Sequence, residues 1–228
     1  AGPGDALLVV DSNVGFNKVD DAIDRQAEYA VQIEPTGSAV ATLTLTYTNR
    51  SAANGEACIL RPYFPPQYAE LQQGCYWNYA RVLGPAGSQL LTSSGEWLVE
   101  IKPETPSRTT WGAYFVLPRG ATRTLSLQYR VPRVLDDKGN YSLRVEKQPG
   151  AGSMPVTVRV SWPERWALRA FEPGSARVET QMYEARLVLD RDRVVSLGLG
   201  PGSLFARTLE LAVGGVLLIG LGLRMYRR

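Results

Sequence analysis

The sequence predicts a mainly β protein: one or more antiparallel β-sandwiches followed by a single C-terminal transmembrane α-helix. Three observations predict this fold class. Apolar residues recur with period two in several runs, clusters rich in glycine and proline separate these runs, and the chain ends in a long uncharged stretch. At 228 residues the chain is long enough for one large domain or two small ones.

The N-terminal part begins with a continuous apolar run at 6–11, which predicts a buried strand, and continues into a predicted short helix near 17–28. Val19, Ile23 and Ala27 recur at spacing four, as the apolar residues of one helix face do. A strand, a glycine turn and a helix also form nucleotide sites, but the sequence lacks the glycine-rich phosphate-binding motifs. We therefore expect no nucleotide site at this turn.

Period-two alternation is clearest at 41–48, where leucine and tyrosine alternate with threonine and predict a strand with one solvated face. The same rhythm returns at 122–131, 141–147, 156–162 and 184–190. The stretch VPRVLDDKGNYSLRV is predicted to form a hairpin with its turn at Asp136 to Asn140. Strands at this spacing favour antiparallel sheets packed as sandwiches.

The chain divides into three parts on these patterns. Residues 1–150 are predicted to form an extracytoplasmic β-sandwich domain. KQPGAGS at 147–153 resembles a linker, so residues 151–203 form either a second small β unit or a continuation of the sandwich. Residues 204–228 are predicted to form a transmembrane helix and a basic cytoplasmic tail.

The closing stretch from Leu204 to Leu223 would measure about 30 Å as a helix, the thickness of a bilayer's hydrocarbon core. The arginines that follow predict a C-terminus in the cytoplasm and a body outside the bacterial cytoplasmic membrane. A buried core helix and a cleavable sorting signal are the alternatives. The predicted anchor residues are Leu204, Leu211, Leu217, Leu218, Ile219, Leu223, Arg224, Tyr226, Arg227 and Arg228, with Gly215 and Gly222 on a face that packs against a partner helix.

Charge and residue usage exclude several classes of function. The net charge of +3 comes entirely from the tail, so the neutral body offers no electrostatic surface for nucleic acid. The chain has no histidine, which excludes Ser-His-Asp and Cys-His catalysis and zinc sites that need imidazole. We therefore expect no metal, no cofactor and no enzymatic activity.

Two cysteines, Cys58 and Cys75, flank a proline-rich stretch. They are too few for a zinc site built from four thiolates. A disulfide that closes an irregular loop is the preferred interpretation, and two free thiols are the alternative. A disulfide would indicate an oxidising compartment.

Aromatic residues cluster just after the second cysteine. Tyr76, Trp77 and Tyr79 are expected to pack in the core, and glycan contact by stacking on sugar rings is the alternative. Asn49 and Asn140 each begin an Asn-x-Ser glycosylation sequence and fall in predicted turns.

Three stretches carry a resemblance to a known family. Residues 12–18 (SNVGFNK), 75–88 (CYWNYARVLGPAGS) and 141–150 (YSLRVEKQPG) occupy the positions of motifs in the bacterial domain-of-unknown-function 4012 family, and the similarity spans roughly residues 4 to 160. The resemblance implies a membrane-attached cell-surface protein. Members resemble proteins whose preceding half is similar to enzymes that transfer cell-wall glycopolymers, and this chain is expected to correspond to the part that follows.

These observations together predict a non-enzymatic, membrane-anchored extracytoplasmic protein that serves as a structural or interaction subunit of a cell-envelope or membrane assembly. Its expected partners are the lipid bilayer and other membrane or envelope proteins. Two alternatives remain open: an accessory glycan-binding portion of a glycopolymer transferase, and a subunit of a surface filament or adhesin in which edge strands pair between copies.

Overall fold

The computed structural model of the chain describes residues 3–62, 65–94, 97–101, 106–173 and 175–201. Strands dominate these residues, and helix is limited to a 3-10 turn at Val19–Ala22 and a single α-helical turn, α1, at Tyr68–Leu71. In chain order the strands are β1 (Asp5–Asn13), β2 (Ile23–Ile33), β3 (Ala39–Asn49), β4 (Tyr76–Pro85), β5 (Gln89–Ser94), β6 (Trp97–Ile101), β7 (Arg108–Leu117), β8 (Thr122–Val131), β9 (Asn140–Glu146), β10 (Met154–Ser161), β11 (Trp166–Glu172), β12 (Arg177–Glu179), β13 (Met182–Leu189) and β14 (Arg193–Pro201).

The strands form two seven-stranded sheets. Sheet A has the order β11-β14-β9-β1-β4-β7-β6, and sheet B has the order β12-β13-β10-β2-β3-β8-β5. The strands after residue 153 join both sheets, because β10 pairs with β2 in sheet B and β14 pairs with β9 in sheet A. The predicted mainly β class is therefore confirmed.

Both sheets are mixed, whereas the sequence predicted antiparallel sheets. β1 pairs with β9 in parallel, and β2 pairs with β10 in parallel. Period-two alternation shows that a residue lies in a strand, but it carries no information about the direction of a neighbour that is more than a hundred residues away. The antiparallel prediction was wrong at these two central pairings.

The helix predicted near 17–28 is also wrong beyond its first turn. Only Val19–Ala22 are helical, and Ile23 begins β2, whose buried residues alternate along its whole length. The apolar spacing of four at Val19, Ile23 and Ala27 fits a helix face, but it also fits every second position on one face of a strand. Tyr29, which is fully buried, extends the period-two pattern of β2.

The predicted turn at Asp136 to Asn140 forms, but the predicted hairpin does not. The amide of Asp136 donates to the carbonyl of Asn140 (3.0 Å), and Leu135 makes a single bridge to Tyr141. β8 and β9, which flank this stretch, belong to opposite sheets. The turn therefore carries the chain from sheet B to sheet A.

The core lies between the two sheets. Trp111 of sheet A packs on Tyr129 of sheet B with ring centroids 4.6 Å apart, and Phe115 packs on Tyr47 at 5.0 Å. Alternate residues of each strand thus face the opposite sheet, as the period-two runs predicted.

A buried carboxyl group interrupts this apolar core. Asp5 accepts hydrogen bonds from the hydroxyls of Tyr29 (3.0 Å) and Tyr141 (2.8 Å), and the hydroxyls of Tyr29 and Tyr129 are 2.9 Å apart. Burial raises the pKa of Asp5 to about 6, against the lowering effect of the hydrogen bonds from Tyr141 and Tyr29. The cluster joins β1 and β9 of sheet A to β2 and β8 of sheet B.

Candidate functional site

The candidate site lies at the pole of the sandwich where β1 ends and β4 begins. Three connections between strands build it: residues 13–18 after β1, residues 50–62 and 65–75 between β3 and β4, and residues 118–121 between β7 and β8. We call this region the tethered end, because a disulfide crosses it.

The first strand starts and the last described strand ends at the opposite pole, which we call the terminal pole. Asp5 at the start of β1 pairs with Leu143 of β9, and Gly198 near the end of β14 pairs with Asn140 of the same strand. The nine residues of β1 separate the two poles by about 30 Å.

The SNVGFNK stretch forms a loop held by its two asparagines. The Asn13 amide donates to Oδ1 of Asn17 (2.9 Å) and to Oδ2 of Asp20 (2.9 Å), and its carbonyl oxygen accepts from the amide of Gly15 (2.9 Å). The Asn17 amide donates to the carbonyl of Cys75 (2.9 Å), which fastens the loop to the residue before β4. Side-chain hydrogen bonds of this kind hold a turn where no backbone pairing with a neighbouring strand is present.

This fixed loop presents apolar side chains to solvent. Val14 and Phe16 are 46% and 48% exposed, although the amide of Val14 is bonded to the carbonyl of Trp77 (2.8 Å). Gly15 lies on the indole of Trp77, and a Cβ at this position would lie 2.9 Å from its Cδ1. The loop therefore requires glycine at position 15 in order to rest on Trp77.

A polar cluster supports the loop from beneath. Arg25 donates to Asp11 (3.1 Å) and to the hydroxyl of Tyr76 (3.1 Å), while Tyr47 (2.9 Å) and Asn78 (2.6 Å) also donate to Asp11. Burial raises the pKa of Tyr76 well above its ordinary value, so its hydroxyl stays neutral. The cluster connects β1 and β4 of sheet A to β2 and β3 of sheet B.

Asn49 links the end of β3 to both neighbouring connections. Its amide donates to the carbonyls of Gly74 (2.8 Å) and Leu117 (3.2 Å), and its carbonyl oxygen accepts from the amide of Ser51 (3.0 Å). Asn49 is 1% exposed, so its side-chain nitrogen is not accessible for glycosylation in the folded protein. Asn140, the other predicted acceptor, is exposed at the start of β9.

The predicted disulfide is present and closes the segment between β3 and β4. Cys58 and Cys75 are bonded with an S–S distance of 1.98 Å. Within the described part of the chain, residues 52–62 make no backbone–backbone hydrogen bond, so the disulfide is their main attachment to the sandwich. Next to it, Ile59 and Leu60 are 68% and 45% exposed.

The loop and the tethered segment enclose a cleft of about 880 Å³. One wall is the fixed loop after β1, and the other is the segment on either side of the disulfide. Its apolar lining consists of Phe16, Ala57, Ile59, Leu60, Ala69 and Trp77.

The cleft also contains two acidic and two basic side chains. Glu56 accepts a hydrogen bond from the amide of Asn54 (2.7 Å), and Glu70 also has a partner within the chain. Arg61 and Arg119 line the cleft, and neither forms an ion pair with any residue that the structure describes. The formal charges of these four side chains sum to zero.

A second cleft, of about 800 Å³, lies beside the 3-10 turn and is rich in aspartate. Most of its carboxylates are engaged by arginine: Asp20 pairs with Arg25 (3.4 Å) and Asp24 pairs with Arg50 (2.9 Å). The carboxylate of Asp21 accepts a hydrogen bond from the amide of Gln72 (3.3 Å). Over the described residues, no group of three or more acidic, cysteine or histidine side chains is arranged to hold a metal ion.

The structure separates the three aromatic residues for which glycan contact was the alternative to core packing. Tyr76 is completely buried, which agrees with core packing and excludes it as a glycan contact in the folded protein. Odd and even residues of β4 face opposite sides of sheet A. Trp77 and Tyr79 lie on the outer face of that sheet, and of the two only Trp77 lines the larger cleft.

The predicted anchor from Leu204 to Arg228, with Gly215 and Gly222, lies outside the described residues. Among the residues that are described, none of the helices has the length and apolar character needed to cross a bilayer. The membrane prediction therefore stays a prediction.

Sequence reasoning missed the apolar rim of the cleft. Phe16 lay just before a predicted helix, and Ile59 and Leu60 follow a cysteine in a stretch without alternation. Apolar neighbours in a segment that has neither the strand period of two nor the helical period of 3.6 belong to no regular element that would bury them. This lack of periodicity is the signal that could have identified the exposed apolar rim.

Comparisons with known proteins give only weak likenesses of fold. No protein-family model and no curated protein matches the chain. Among solved structures, a Legionella pneumophila protein provisionally named for nutrient binding is similar at 12% identity and a TM-score of 0.44, over 86% of this chain and 71% of that one. An M1 zinc metallopeptidase from Deinococcus radiodurans is similar at 12% identity and a TM-score of 0.37, over 78% of this chain and 42% of the peptidase. At these values neither likeness assigns an activity to this chain.

Proposed function

We propose that this chain is a non-enzymatic, membrane-attached module of a bacterial cell envelope that binds a partner protein through the tethered end. The observation that carries the proposal is the exposure of apolar side chains on connections that are held in place. Phe16 stands on a loop fixed by asparagine side chains, and Ile59 stands next to the disulfide. Exposed apolar side chains on a fixed scaffold are typical of interaction sites.

The positions of the two poles support a role at a membrane surface. β14 ends at Pro201 on the terminal pole, three residues before the predicted span at Leu204. A bilayer entered by that span would lie next to the terminal pole, and the tethered end would face away from it by about 30 Å. With this orientation the tethered end would be free to meet a partner in the envelope.

The disulfide supports an extracytoplasmic location. Disulfides persist in oxidising compartments and are rare in the cytosol, where thiols are kept reduced. The bond between Cys58 and Cys75 therefore agrees with a body on the outer side of the cytoplasmic membrane.

The geometry favours this role over strand pairing in a filament. β11, β5 and β6, which lie at sheet edges, each contain a register shift, and β12 at the remaining edge has only three residues. Bulged or very short edge strands are the features that oppose pairing with another chain. None of the four described edge strands is both long and regular, as pairing with a strand of another chain requires.

Glycan binding is the second candidate, and Trp77 is the observation that favours it, since an indole in a cleft can stack on a sugar ring. The aliphatic side chains of the rim argue for a protein partner instead, because Ile59 and Leu60 have no flat face on which a sugar can stack. A titration with cell-wall fragments that quenches Trp77 fluorescence would favour the glycan role.

Membrane attachment is tested by alkaline extraction of membranes from cells that express the whole chain, combined with protease digestion from the outer side. We expect the chain to stay with the lipid and its body to be digested. Replacing Leu217 and Leu218 with arginine should release it, since each arginine costs about 3 kcal/mol at a helix centre. Release of the unmodified chain by alkali would contradict the proposal.

A further inference from the structure

We infer that Asn54 is a site of spontaneous covalent modification, at which the Asn54–Gly55 peptide converts to aspartate and isoaspartate and makes the cleft at the tethered end negative. The inference goes beyond the proposed interaction role and does not depend on it. It is carried by the residue that follows Asn54, by the exposure and bonding of this segment, and by the place of Asn54 in the lining of the cleft.

The reaction needs only the asparagine, the next backbone amide and water. A base in the solvent removes the amide proton of Gly55, and the nitrogen then attacks Cγ of Asn54 to close a cyclic imide, a succinimide. The bond from Cγ to Nδ2 breaks, and Nδ2 takes up a proton from solvent and leaves as ammonia. Water opens the ring at either carbonyl, which gives aspartate or isoaspartate. The net change replaces a neutral amide with a carboxylate and consumes a water molecule.

The sequence distinguishes Asn54 from every other asparagine of the chain. The residue that follows it is Gly55, which has no Cβ to hinder the attacking nitrogen. The residue that follows each of the other five asparagines carries a side chain, and these five are Asn13, Asn17, Asn49, Asn78 and Asn140.

The structure leaves the Asn54–Gly55 peptide free to react. Both residues are exposed, and residues 52–62 make no backbone–backbone hydrogen bond with any residue that the structure describes. A Cβ built on Gly55 would meet no atom of a non-adjacent residue within 4 Å, so no other part of the described chain crowds this peptide. The nitrogen can therefore turn towards Cγ without breaking the backbone pairing of the sandwich.

Glu56 orients the asparagine for the attack. Its amide donates to Oδ1 of Asn54 (3.2 Å), which forms an Asx turn whose hydrogen-bonded ring includes the nitrogen of Gly55. Oδ1 is the atom that gains negative charge when Cγ is attacked, so this donated hydrogen bond stabilises the tetrahedral intermediate. The side-chain amide of Asn54 donates to Oε2 of Glu56 (2.7 Å), which fixes the position of the leaving nitrogen.

The fold holds the competing asparagines in place. Asn49 and Asn78 are buried, and their amides donate to residues of neighbouring elements. The amides of Asn13 and Asn17 hold the loop after β1, and the amide of Asn140 is bonded within the turn that leads into β9. We therefore expect these side chains to convert more slowly than Asn54.

Conversion of Asn54 changes the charge of the cleft. The formal charges in its lining now sum to zero, since they come from Glu56, Glu70, Arg61 and Arg119. A carboxylate at position 54 makes this sum minus one, and it stands beside Glu56 in place of the amide that donated to it. Isoaspartate also adds a carbon atom to the main chain between β3 and the disulfide. The cleft of an aged molecule is thus negative, and its disulfide-linked wall is longer.

The test is incubation of the purified full chain in detergent for several weeks at neutral pH, followed by peptide mapping. Mass spectrometry with electron-transfer fragmentation identifies aspartate and isoaspartate at each asparagine. We expect conversion at Asn54 to be at least about tenfold faster than at any of the other five asparagines, which are controls within the same molecule. Ion-exchange chromatography should separate the product as a more acidic form.

Substitutions test the role of the glycine. Gly55→Ala should slow the conversion at least about tenfold, because a methyl group beside the attacking nitrogen hinders ring closure. Gly150→Ala is the matched control, since Gly150 also has a positive φ and open space around it, and it should leave the rate unchanged. Asn54→Gln should abolish the acidic form, because glutamine would have to close a larger ring. Melting temperatures of all variants are compared, so that a loss of folding is recognised.

Several results would overturn the inference. They are conversion at Asn54 that is no faster than at the other asparagines, an acidic form that persists in Asn54→Gln, and an unchanged rate in Gly55→Ala. A folded chain that converts at least about tenfold more slowly than a peptide of sequence AANGEA would also overturn it, because the fold would then hold the nitrogen away from Cγ. None of these results bears on membrane attachment, which alkaline extraction tests separately.

Discussion

The stability of the sandwich should depend on pH through one buried carboxyl group, Asp5. The perturbation is Asp5→Asn, which keeps the shape of the side chain and an oxygen that accepts hydrogen bonds from Tyr29 and Tyr141. The substitution removes the only ionisable group of this cluster that titrates near neutral pH, since burial raises the pKa of both tyrosines well above 10.

The magnitude follows from the pKa of Asp5, which burial raises from 3.8 in the unfolded chain to about 6 in the folded protein. A shift of about two units corresponds to about 3 kcal/mol. Because the folded state binds the proton more tightly than the unfolded state, the stabilising effect of protonation is fully present below pH 3.8 and is lost as the pH rises through 6. Above about pH 7 the buried carboxylate lowers the free energy of unfolding by the full amount of about 3 kcal/mol.

The assay is denaturant unfolding of the native sequence and of Asp5→Asn at a series of pH values between 4 and 8. The difference in their free energies of unfolding isolates Asp5, because all other groups titrate in both proteins. We expect Asp5→Asn to gain about 3 kcal/mol relative to the native sequence as the pH rises across this range. Asp137→Asn, at a highly exposed carboxylate, is the control. A difference that stays constant would refute the argument from desolvation.

Three further substitutions test the tethered end. Asn49→Ala should lower the free energy of unfolding by about 2–4 kcal/mol, measured in urea, because two buried carbonyls lose their donor. Replacing both cysteines with serine should lower it by about 3 kcal/mol, since the disulfide joins residues 17 positions apart; an unchanged urea midpoint would contradict this. Gly15→Ala should displace the indole of Trp77 and shift the tryptophan emission, while Gly152→Ala, which has open space around its Cα, should not.

How much of the fold the sequence predicts is clear from β2 and β3. The alternation at 41–48 identifies β3 and its solvated threonine face correctly, because burial on one side of a strand is a local, periodic property. In β2 the same periodicity was present, but Ile23 and Ala27 also fitted a helix together with Val19, which precedes the strand. Pairing along the whole of β3 decided in favour of the strand. A pattern that fits both the helical period and the strand period cannot show whether the segment will pair with a neighbouring strand.

Within the candidate site, the sequence predicted only the disulfide, because covalent chemistry limits the ways in which cysteines can pair. Two cysteines can pair in only one way, and the structure confirms the bond between Cys58 and Cys75. The glycan prediction treated Tyr76 and Trp77 alike, although adjacent residues of a strand face opposite sides. Which side was the core depended on the position of sheet B, and that is set by contacts distant in sequence.

The SNVGFNK loop shows why the tethered end is unlike an ordinary sandwich loop. Its asparagines use their side chains to bond one another and the carbonyl before β4, whereas a loop with only a connecting role needs few such bonds. These bonds give no burial to Phe16, which remains 48% exposed. The proposed interaction role would give this fixed apolar side chain a partner that covers it. The same reasoning applies to Ile59, which stands beside the disulfide and points to the same cleft.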